Sequence, residues 1–401
     1  MLFEFNSIAE QKAKLKVIGV GGAGGNAINR MIQAGMQGVD FVAINTDAQD
    51  LENNAAKYKI QIGKNLTKGL GAGAKADVGR EAVAADREAI AAILEGADMV
   101  FITGGMGGGT GTGAAASIAQ MAREMEILTV GIVTLPFNFE GPKRMNRGMG
   151  GLSDLRKACD TVISIPNQKL MSIVDKNTTV VDAFKLADSI LHQAAKGISD
   201  LINVHGLINL DFADVETIMK NMGEAIMGTG SASGEERAVL AAQQAISSPL
   251  LDNASISGAQ GVLVNITGGP DLTLMEVDEA TSIIFEEAGN DANIIFGAVI
   301  DPRMTEEIRV TVIATGFSRK APKEVENEEQ EIIIRPKQKQ ARILAEQENV
   351  PLFNQKIVDD QTADNSGQLH VPTSKFHFDD TNPVIYGDDL DIPAFIRRQQ
   401  E

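Results

Sequence analysis

The feature that most restricts the fold of this chain is a glycine-rich stretch at residues 103–113, TGGMGGGTGTG. An apolar run at 99–102 enters it and an alanine-rich segment at 114–119 leaves it, which predicts a strand, a loop and the start of a helix. Glycines let backbone N–H groups approach a phosphate, and a helix N-terminus adds about half a positive charge. Thr110 and Thr112 can donate further hydrogen bonds. The stretch therefore predicts a phosphate-binding loop rather than a linker.

The rest of the N-terminal half alternates short apolar runs with helical periodicity. A helix begins near Ala27, and residues 78–95 predict one long helix. This alternation predicts an α/β fold, a Rossmann-like and mostly parallel sheet with helices on both faces. Ligands bind such sheets at the carboxyl ends of the strands. The other predicted strands in this half are residues 15–20, 41–45, 128–135 and 161–165.

The C-terminal half begins with an uninterrupted helical pattern at residues 180–204. At 1.5 Å per residue, this central helix is about 36 Å long, enough to form a spine between two domains. A smaller α+β unit is expected beyond it. Its predicted strands are residues 223–231, 261–268, 293–300 and 308–315, and its predicted helices are 235–246 and 274–287.

Composition excludes several classes of protein. The 401-residue chain has a net charge of −18, which argues against general affinity for nucleic acid, because phosphate backbones require surplus Lys and Arg. The single cysteine, Cys159, fits a reducing compartment. The N-terminus lacks the pattern of a signal peptide, and no apolar run approaches the ~18 residues of a membrane span. We therefore expect a cytoplasmic protein.

Two further glycine segments accompany the main loop. Residues 19–26, GVGGAGGN, contain the dinucleotide-binding spacing G-x-G-x-x-G between a strand and a helix. Alone, this spacing leaves open an NAD-dependent oxidoreductase, with Asp47 as a candidate to hold a ribose. Residues 71–74, GAGA, add a third loop, and three such loops at successive strand ends would surround a polyphosphate. The Walker pattern is missing.

Polar residues follow other predicted strand ends. Glu140 and Arg144 come after the strand at 128–135, although taken alone they fit a solvated turn slightly better than a ligand site. Asn167 directly follows the strand at 161–165. Asp188 on the central helix could face the same crevice. An Asp on such a helix is ordinarily solvent-facing, but a carboxylate can accept both N–H groups of a guanine edge.

An acidic loop follows the central helix. Residues 205–216, HGLINLDFADVE, contain Asn209, Asp211 and Asp214. Asp214 suits the N-cap of the next helix, so a purely structural role stays open. By helix rise these carboxylates lie roughly 35 Å from the glycine loops. If they are catalytic, they act on the nucleotide of another chain.

Together these motifs closely resemble the FtsZ family, the bacterial tubulin-like cell-division GTPases, over residues 15–316 and the terminal peptide. The resemblance implies GTP bound by the glycine loops, with Glu140, Arg144, Asn167, Phe184 and Asp188 around the ribose and guanine. Ala23 stands where many relatives have glycine, which a negative φ would tolerate. The other implied nucleotide-binding residues are Gly21, Gly22, Gly24, Gly25, Asn26, Asn45, Ala72, Gly73, Ala74, Gly105, Gly107, Gly108, Gly109, Thr110, Gly111, Thr112 and Gly113.

The same resemblance implies a homopolymer. Subunits would join head to tail into filaments of the mid-cell division ring, and Asp211, Asp214 and Asn209 of one subunit would complete the GTPase site of its neighbour. Mg²⁺ would accompany GTP or GDP, held largely by phosphates and water. A competing hypothesis is a non-catalytic scaffold that uses GTP as a structural ligand only.

The C-terminal end carries a separate signal. Residues 388–399, DDLDIPAFIRRQ, are typical of a short peptide that folds into a partner's groove. The resemblance implies docking onto membrane-tethering and regulatory division proteins, with Ile396 in place of a more usual leucine and with no direct membrane span or nucleic-acid contact. The implied partner-binding residues are Asp391, Ile392, Pro393, Phe395, Ile396, Arg397 and Arg398.

These expectations divide the chain into six parts. They are a flexible N-terminus at 1–14, a GTP-binding domain at 15–179, the central helix at 180–204, a C-terminal α+β domain carrying the catalytic loop at 205–317, a disordered linker at 318–388 and the partner-binding tail peptide at 389–401.

Overall fold

The structure, a computed structural model, describes residues 12–175, 177–204, 206, 208, 210–251 and 256–317. The chain divides into two compact units, Met1–Glu328 and Glu329–Glu401, and all described residues belong to the first. The predicted linker at 318–388 and tail peptide at 389–401 lie outside the described residues. So do the seven tail positions Asp391, Ile392, Pro393, Phe395, Ile396, Arg397 and Arg398.

Ten strands form one sheet in the described part of the chain. They are β1 Leu15–Val20, β2 Val39–Asn45, β3 Tyr58–Gln61, β4 Met99–Gly105, β5 Leu128–Leu135, β6 Thr161–Pro166, β7 Gly223–Ser233, β8 Gly261–Gly268, β9 Asn293–Ile300 and β10 Glu307–Thr315. Their order across the sheet is β3-β2-β1-β4-β5-β6-β7-β10-β8-β9. Neighbours are parallel except where β10 runs antiparallel to β7 and β8. The predicted mostly parallel sheet is therefore confirmed.

Helices connect these strands. They are α1 Gly21–Gln33, α2 Ala48–Glu52, α3 Lys64–Thr67, α4 Ala76–Ala85, α5 Arg87–Leu94, α6 Thr110–Glu124, α7 Pro142–Ala158, α8 Asn167–Leu170, α9 Val180–Asn203, α10 Phe212–Met219, α11 Arg237–Ile246 and α12 Leu274–Ala288. Among the described residues, no helix has the length and apolar character required to cross a bilayer.

Two helix predictions need correction. The single helix predicted at 78–95 is interrupted at Asp86, which separates α4 from α5. The Asp86 carboxylate accepts a hydrogen bond of 2.6 Å from the backbone N–H of Gly63, and such side-chain bonds to backbone compete with helix continuation. The first helix begins at Gly21 rather than near Ala27, so the glycines themselves form its first turns.

The parallel strands are buried on both faces. Every residue of β5 is buried, and two apolar clusters pack on opposite faces of the sheet. One contains Val17 of β1 together with side chains of α1 and α9. The other contains Ile18 of β1 with side chains of α4, α5, α6 and α7. Alternate residues of a strand point to opposite faces, so both clusters draw on the same strands.

The C-terminal half has its own apolar cluster but not its own sheet. Side chains of α11 and α12 pack against β8 and β10 in a third cluster. However, β7 pairs with β6 over three residues, from Thr161 opposite Gly223 to Ile163 opposite Ala225. The predicted smaller α+β unit therefore continues the first sheet. This pairing covers the edge that β6 would otherwise expose.

The central helix was predicted correctly, within one residue of its end. Its first residues follow the cap Thr179, whose hydroxyl accepts a hydrogen bond from Asp182 N. Near its start, Phe184 contacts Phe137, which follows the carboxyl end of β5. At its other end, Asn203 Nδ2 donates to Gly38 O, directly before β2. The helix α9 therefore spans the sheet from the carboxyl edge to the amino edge of its parallel strands.

Candidate functional site

The three predicted glycine loops meet at one place. Strands β1 and β4 are neighbours, so the segments that follow them lie side by side. A Cβ atom added to Gly21 would lie 3.0 Å from Gly111 N, and one added to Gly109 would lie 2.5 Å from Gly73 O. These approaches leave no room for side chains. The backbones of all three segments therefore form one surface, as the sequence predicted.

Four glycines of this surface have backbone conformations that disfavour other residues. The φ angles are +72° at Gly21, +81° at Gly71, +57° at Gly73 and +99° at Gly107. By contrast, a Cβ atom on Gly108 would meet nothing within 4 Å. Gly108 therefore borders open space directly before α6, a helix of 15 residues. The helix N-terminus and the free backbone N–H groups favour an anion there.

Thr110 and Thr112 hold the shape of the main loop. Thr110 Oγ1 lies 2.7 Å from Thr46 Oγ1 in a buried position. Thr112 Oγ1 accepts a hydrogen bond of 2.8 Å from Gly107 N, and the Arg147 Nε donates to Gly107 O at 3.1 Å. A hydroxyl that accepts one hydrogen bond can still donate another. Thr112 thus supports the loop and keeps a donor for a ligand.

Ala23 fits its position. It is not among the described non-glycine residues with positive φ, as the sequence analysis required. An added Cβ on Gly105 would lie 2.7 Å from the Ala23 methyl carbon. The methyl group of Ala23 therefore occupies space that is available only because residue 105 is glycine.

Asn26 and Asn45 line one small cavity. The cavity, of about 80 Å³, lies between α1, β2 and α2 and also borders Gly21, Gly22 and Gly25. Asn45 Nδ2 donates to Asp50 Oδ2 at 3.2 Å, and Asn45 Oδ1 accepts from Asp47 N. A much larger cleft of about 700 Å³, lined by α4, α6 and α7, borders none of the predicted nucleotide-binding residues.

Asp47 has a structural partner. Its carboxylate accepts hydrogen bonds from Gln49 N and Asp50 N and caps α2. A carboxylate bound to two backbone N–H groups has less capacity left for a ribose. This capping role weakens the argument for a dinucleotide-binding oxidoreductase.

Aromatic side chains surround the residues predicted to hold the ribose and base. Glu140 Oε2 lies 3.0 Å from Arg144 Nε, and Glu140 Oε1 accepts a hydrogen bond from Phe137 N. The rings of Phe137 and Phe139 stack with centroids 5.1 Å apart, and Phe184 meets both edge-on. Phe139 is 64% exposed and Phe184 40%. Exposed rings of this kind can pack against a planar base.

Asn167 has an unsatisfied group. The residue is 4% exposed, and its Oδ1 has no hydrogen-bond partner within the part of the chain that the structure describes. Buried polar atoms are normally paired, because burial without a partner costs free energy. A bound ligand with a donor at this position would satisfy it.

Asp188 on α9 faces α1. Its Oδ2 is 3.9 Å from Arg30 Nε. Burial raises the pKa of Asp188 to about 6, and the positive charge of Arg30 opposes this rise. Arg30 was not predicted from the sequence, although its position four residues after Asn26 places both on one face of α1.

The acidic loop differs from its predicted capping role. The N-cap of α10 is Asp211, not Asp214, and no side-chain hydrogen bond caps the helix. The alternative with Asp214 as the cap is not seen, because the helix starts three residues earlier, at Phe212, which places Asp214 in its first turn. Both carboxylates are exposed and make no ion pair or side-chain hydrogen bond with another described residue. Asn209 lies outside the described residues.

The acidic loop lies away from the glycine loops. The last residue of α10, Met219, accepts a hydrogen bond from the hydroxyl of Thr161, the first residue of β6. Asp214 borders a surface depression together with Asn293, the first residue of β9. The glycine loops follow the carboxyl ends of β1 and β4, whereas α10 contacts strands where they begin. One chain therefore carries the two groups of residues at opposite ends of α9.

The surface formed by the three glycine loops offers hydrogen-bond donors rather than cation ligands. Its polar atoms are backbone N–H groups and threonine hydroxyls, which suit anions. No group of three or more His, Cys, Asp or Glu side chains within the described ranges is arranged to hold a metal ion.

Comparison with known proteins identifies both halves. Residues 14–175 match the model described as Tubulin/FtsZ family, GTPase domain, and residues 223–318 match that of the FtsZ family, C-terminal domain. An empty FtsZ dimer from M. jannaschii shares 46% identity over 77% of this chain and 90% of that chain, with a TM-score of 0.75. A mutant FtsZ of the same organism shares 47% identity over 76% and 92%, with a TM-score of 0.74.

A more distant structure shares the fold alone. The GTPγS-bound protofilament of CetZ2 from Haloferax volcanii has a TM-score of 0.65 at 22% identity, over 76% of this chain and 94% of that chain.

Proposed function

This chain belongs to the Tubulin/FtsZ family, and on that basis we propose that it binds GTP and hydrolyses it at the contact between successive subunits of a filament. Residues 14–175 form the GTPase domain of the family. The loops at 19–26, 71–74 and 103–113 bind the phosphates. Glu140, Arg144, Asn167, Phe184 and Asp188 bind the ribose and guanine.

The observation that carries this proposal is that the glycine loops and the acidic residues lie at opposite ends of α9. The glycine loops contain anion donors but no acidic side chain. Asp211 and Asp214 are exposed, lack partners among the described residues, and lie at the opposite end of a 24-residue helix, about 36 Å long. Head-to-tail stacking would bring the acids of one subunit onto the nucleotide of the next.

The chemistry follows from this arrangement. Asp211, Asp214 and Asn209 of the neighbouring subunit orient a water molecule, whose oxygen attacks the γ-phosphorus while one carboxylate accepts a proton from the water. The bond from the γ-phosphorus to the bridging oxygen breaks, and GDP and phosphate leave. Backbone N–H groups and the N-terminus of α6 stabilise the charge on the phosphate oxygens. When bound, Mg²⁺ neutralises phosphate charge, with its ligands mainly from phosphate and water.

The relatives support assembly. The similar M. jannaschii structure is an FtsZ dimer, and the distant CetZ2 structure is a protofilament with bound GTPγS. We extend this to a homopolymer of the present chain in the division ring at mid-cell. We propose that the tail peptide at 389–401, tethered by the linker at 318–388, binds membrane-tethering and regulatory division proteins.

The first test is the dependence of the GTPase rate on protein concentration. A site shared between subunits predicts that the rate per subunit falls steeply on dilution, because isolated subunits lack the acids. A rate per subunit that stays constant down to high dilution contradicts the shared site.

A mixing experiment tests the shared site directly. Asp211→Ala retains the glycine loops, whereas Gly109→Val retains the acids but places a side chain against Gly73 O. Each variant alone should be nearly inactive, and their mixture should recover activity, because the aspartates of the second variant meet GTP on the first. Asp278→Asn, at an exposed position on α12, is the matched control and should behave like wild type.

Two results would favour the competing functions. Unchanged phosphate release in Asp211→Ala would indicate a scaffold that uses GTP as a structural ligand. Nicotinamide cofactor recovered by extraction and chromatography of the purified protein would indicate an oxidoreductase.

A further inference from the structure

Arg30 and Asp188 form a contact that is close but incomplete. Arg30 lies in the last turn of α1, and its Nε is 3.9 Å from Asp188 Oδ2 on α9. The Arg30 side chain is 32% exposed and that of Asp188 is 19% exposed. A separation of 3.9 Å permits charge attraction but is too long for a hydrogen bond.

The Arg30 Nε atom has no hydrogen-bond partner in the described part of the chain, although it is buried. A buried guanidinium donor without a partner costs free energy. A small movement toward Asp188 would pair it. The geometry therefore directs Arg30 toward this carboxylate rather than toward a structural partner elsewhere.

The surroundings leave Arg30 as the cation that acts on Asp188. Burial raises the pKa of Asp188, and Arg30 is the group that opposes it. One turn further along α9, burial lowers the pKa of His192 to about 4, assisted by Lys196, Arg309 of β10 and Arg30. His192 is therefore neutral near pH 7 and adds no positive charge beside Asp188.

We propose that Arg30 is a positioning and specificity-determining residue for guanine: its guanidinium keeps the Asp188 carboxylate ionised and aligned to accept both N–H groups of the base. This inference rests on the proposed function, in which Asp188 binds guanine. A protonated Asp188 would present an O–H donor to the guanine N–H groups, and one of the two hydrogen bonds would be lost.

The test compares GDP with inosine diphosphate across pH. Inosine lacks the 2-amino group of guanine but carries the same phosphates. The ratio of the two dissociation constants therefore cancels phosphate titration and reports on recognition of the base edge. Equilibrium binding is measured from pH 5.5 to 8.5 for the full-length wild type, Arg30→Gln and Arg30→Lys.

We expect the wild-type preference for GDP to weaken as pH falls through about 6. In Arg30→Gln the midpoint should rise by about one pH unit, so that at pH 6 the preference is about fivefold below wild type. Arg30→Lys keeps the charge and should retain the wild-type midpoint. An Arg30→Gln midpoint equal to that of wild type, with or without uniformly weaker binding, would overturn the proposal.

A second variant tests the proposal independently of the folding of Arg30→Gln. Asp188→Asn cannot ionise, so its GDP preference should be low and independent of pH. If Asp188→Asn keeps the pH-dependent preference of wild type, the titrating group is not Asp188 and the inference is wrong. Absence of guanine-nucleotide binding by wild type would instead refute the proposed function itself.

Discussion

The hydroxyl oxygens of Thr46 and Thr110 lie 2.7 Å apart in a position closed to solvent. Thr46 follows strand β2, and Thr110 is the first residue of α6. This bond joins the predicted phosphate-binding loop to a strand two positions away in the sheet. It fixes the loop relative to β2, which would reduce the cost of ordering the loop when a nucleotide binds.

Thr46→Val should destabilise the protein. It leaves the Thr110 hydroxyl buried without this partner, at a cost of about 1–3 kcal/mol. The double variant Thr46→Val with Thr110→Val removes both hydroxyls and should recover part of the loss. Urea unfolding without nucleotide measures both effects. Strictly additive losses in the double variant would show that the two hydroxyls do not interact.

Gly105→Ala should weaken nucleotide binding and reduce stability by about 1–3 kcal/mol, because its methyl carbon would lie 2.7 Å from that of Ala23. Ala23→Gly removes the obstacle, so the double variant should regain most of the lost stability. GDP titration and thermal unfolding of the four proteins give the coupling free energy. A coupling of zero would mean that the methyl groups do not compete for space.

Arg237→Met should be strongly destabilising. Arg237 is 6% exposed and pairs with Asp271 and Glu276 at 2.6 Å each. Removal leaves Glu276, whose side chain is 16% exposed, without its cation, at a cost of about 1–3 kcal/mol. Urea unfolding at pH 7 measures the loss. The exposed pair of Arg87 and Glu124 supplies the control, since Arg87→Met should cost less than about 1 kcal/mol.

The same arginine controls acid stability. Hydrogen bonds from Arg237 lower the pKa of Glu276 below its ordinary value of 4.5. The unfolded chain then binds this proton more readily than the folded one, so the stabilisation is present above about pH 4.5 and is lost as pH falls further. Arg237→Met should have a flatter stability profile below that pH. An unchanged slope would exclude Glu276 as a source of acid sensitivity.

His192→Gln should make the protein less sensitive to mild acid. Burial, with nearby cations, lowers the pKa of His192 from 6.5 to about 4. The unfolded state gains a proton first, so stability decreases as pH falls from about 6.5 toward 4, by up to about 3 kcal/mol. The raised pKa of Asp188 acts in the opposite direction below pH 6. Urea midpoints at pH 7.5 and pH 5 should differ less in His192→Gln than in wild type.

The sequence correctly predicted the bounds of those strands that have recognisable glycine or polar residues at both ends. Strands β8 and β9 have the predicted bounds, 261–268 and 293–300, because apolar β-branched runs there are bounded by glycines and polar residues. The break at Asp86 was not predictable in this way. It involves a hydrogen bond to Gly63, 23 residues earlier in the chain, and a single sequence gives no measure of such a contact. The pairing of β6 with β7 is equally non-local.

The site shows the same division. Glycine loops can be predicted because a glycine at each position where a side chain would collide is visible directly in the sequence. Arg30 and Thr46 were missed because their roles depend on contacts across α1 and α9, or across β2 and α6. Asp214 was assigned to the cap because the start of α10 depends on how the preceding loop packs.

The length of α9 should determine the spacing of subunits in the proposed filament. In the proposed stack, the base is bound beside the first turns of this helix, and the acids that reach the next nucleotide follow its last turn. The distance between consecutive nucleotides along the filament should then depend on the length of this helix, which is about 36 Å. Inserting one helical turn in the middle of α9 would lengthen this repeat by about 5 Å, and the axial spacing of the polymer would report the geometry of a single helix.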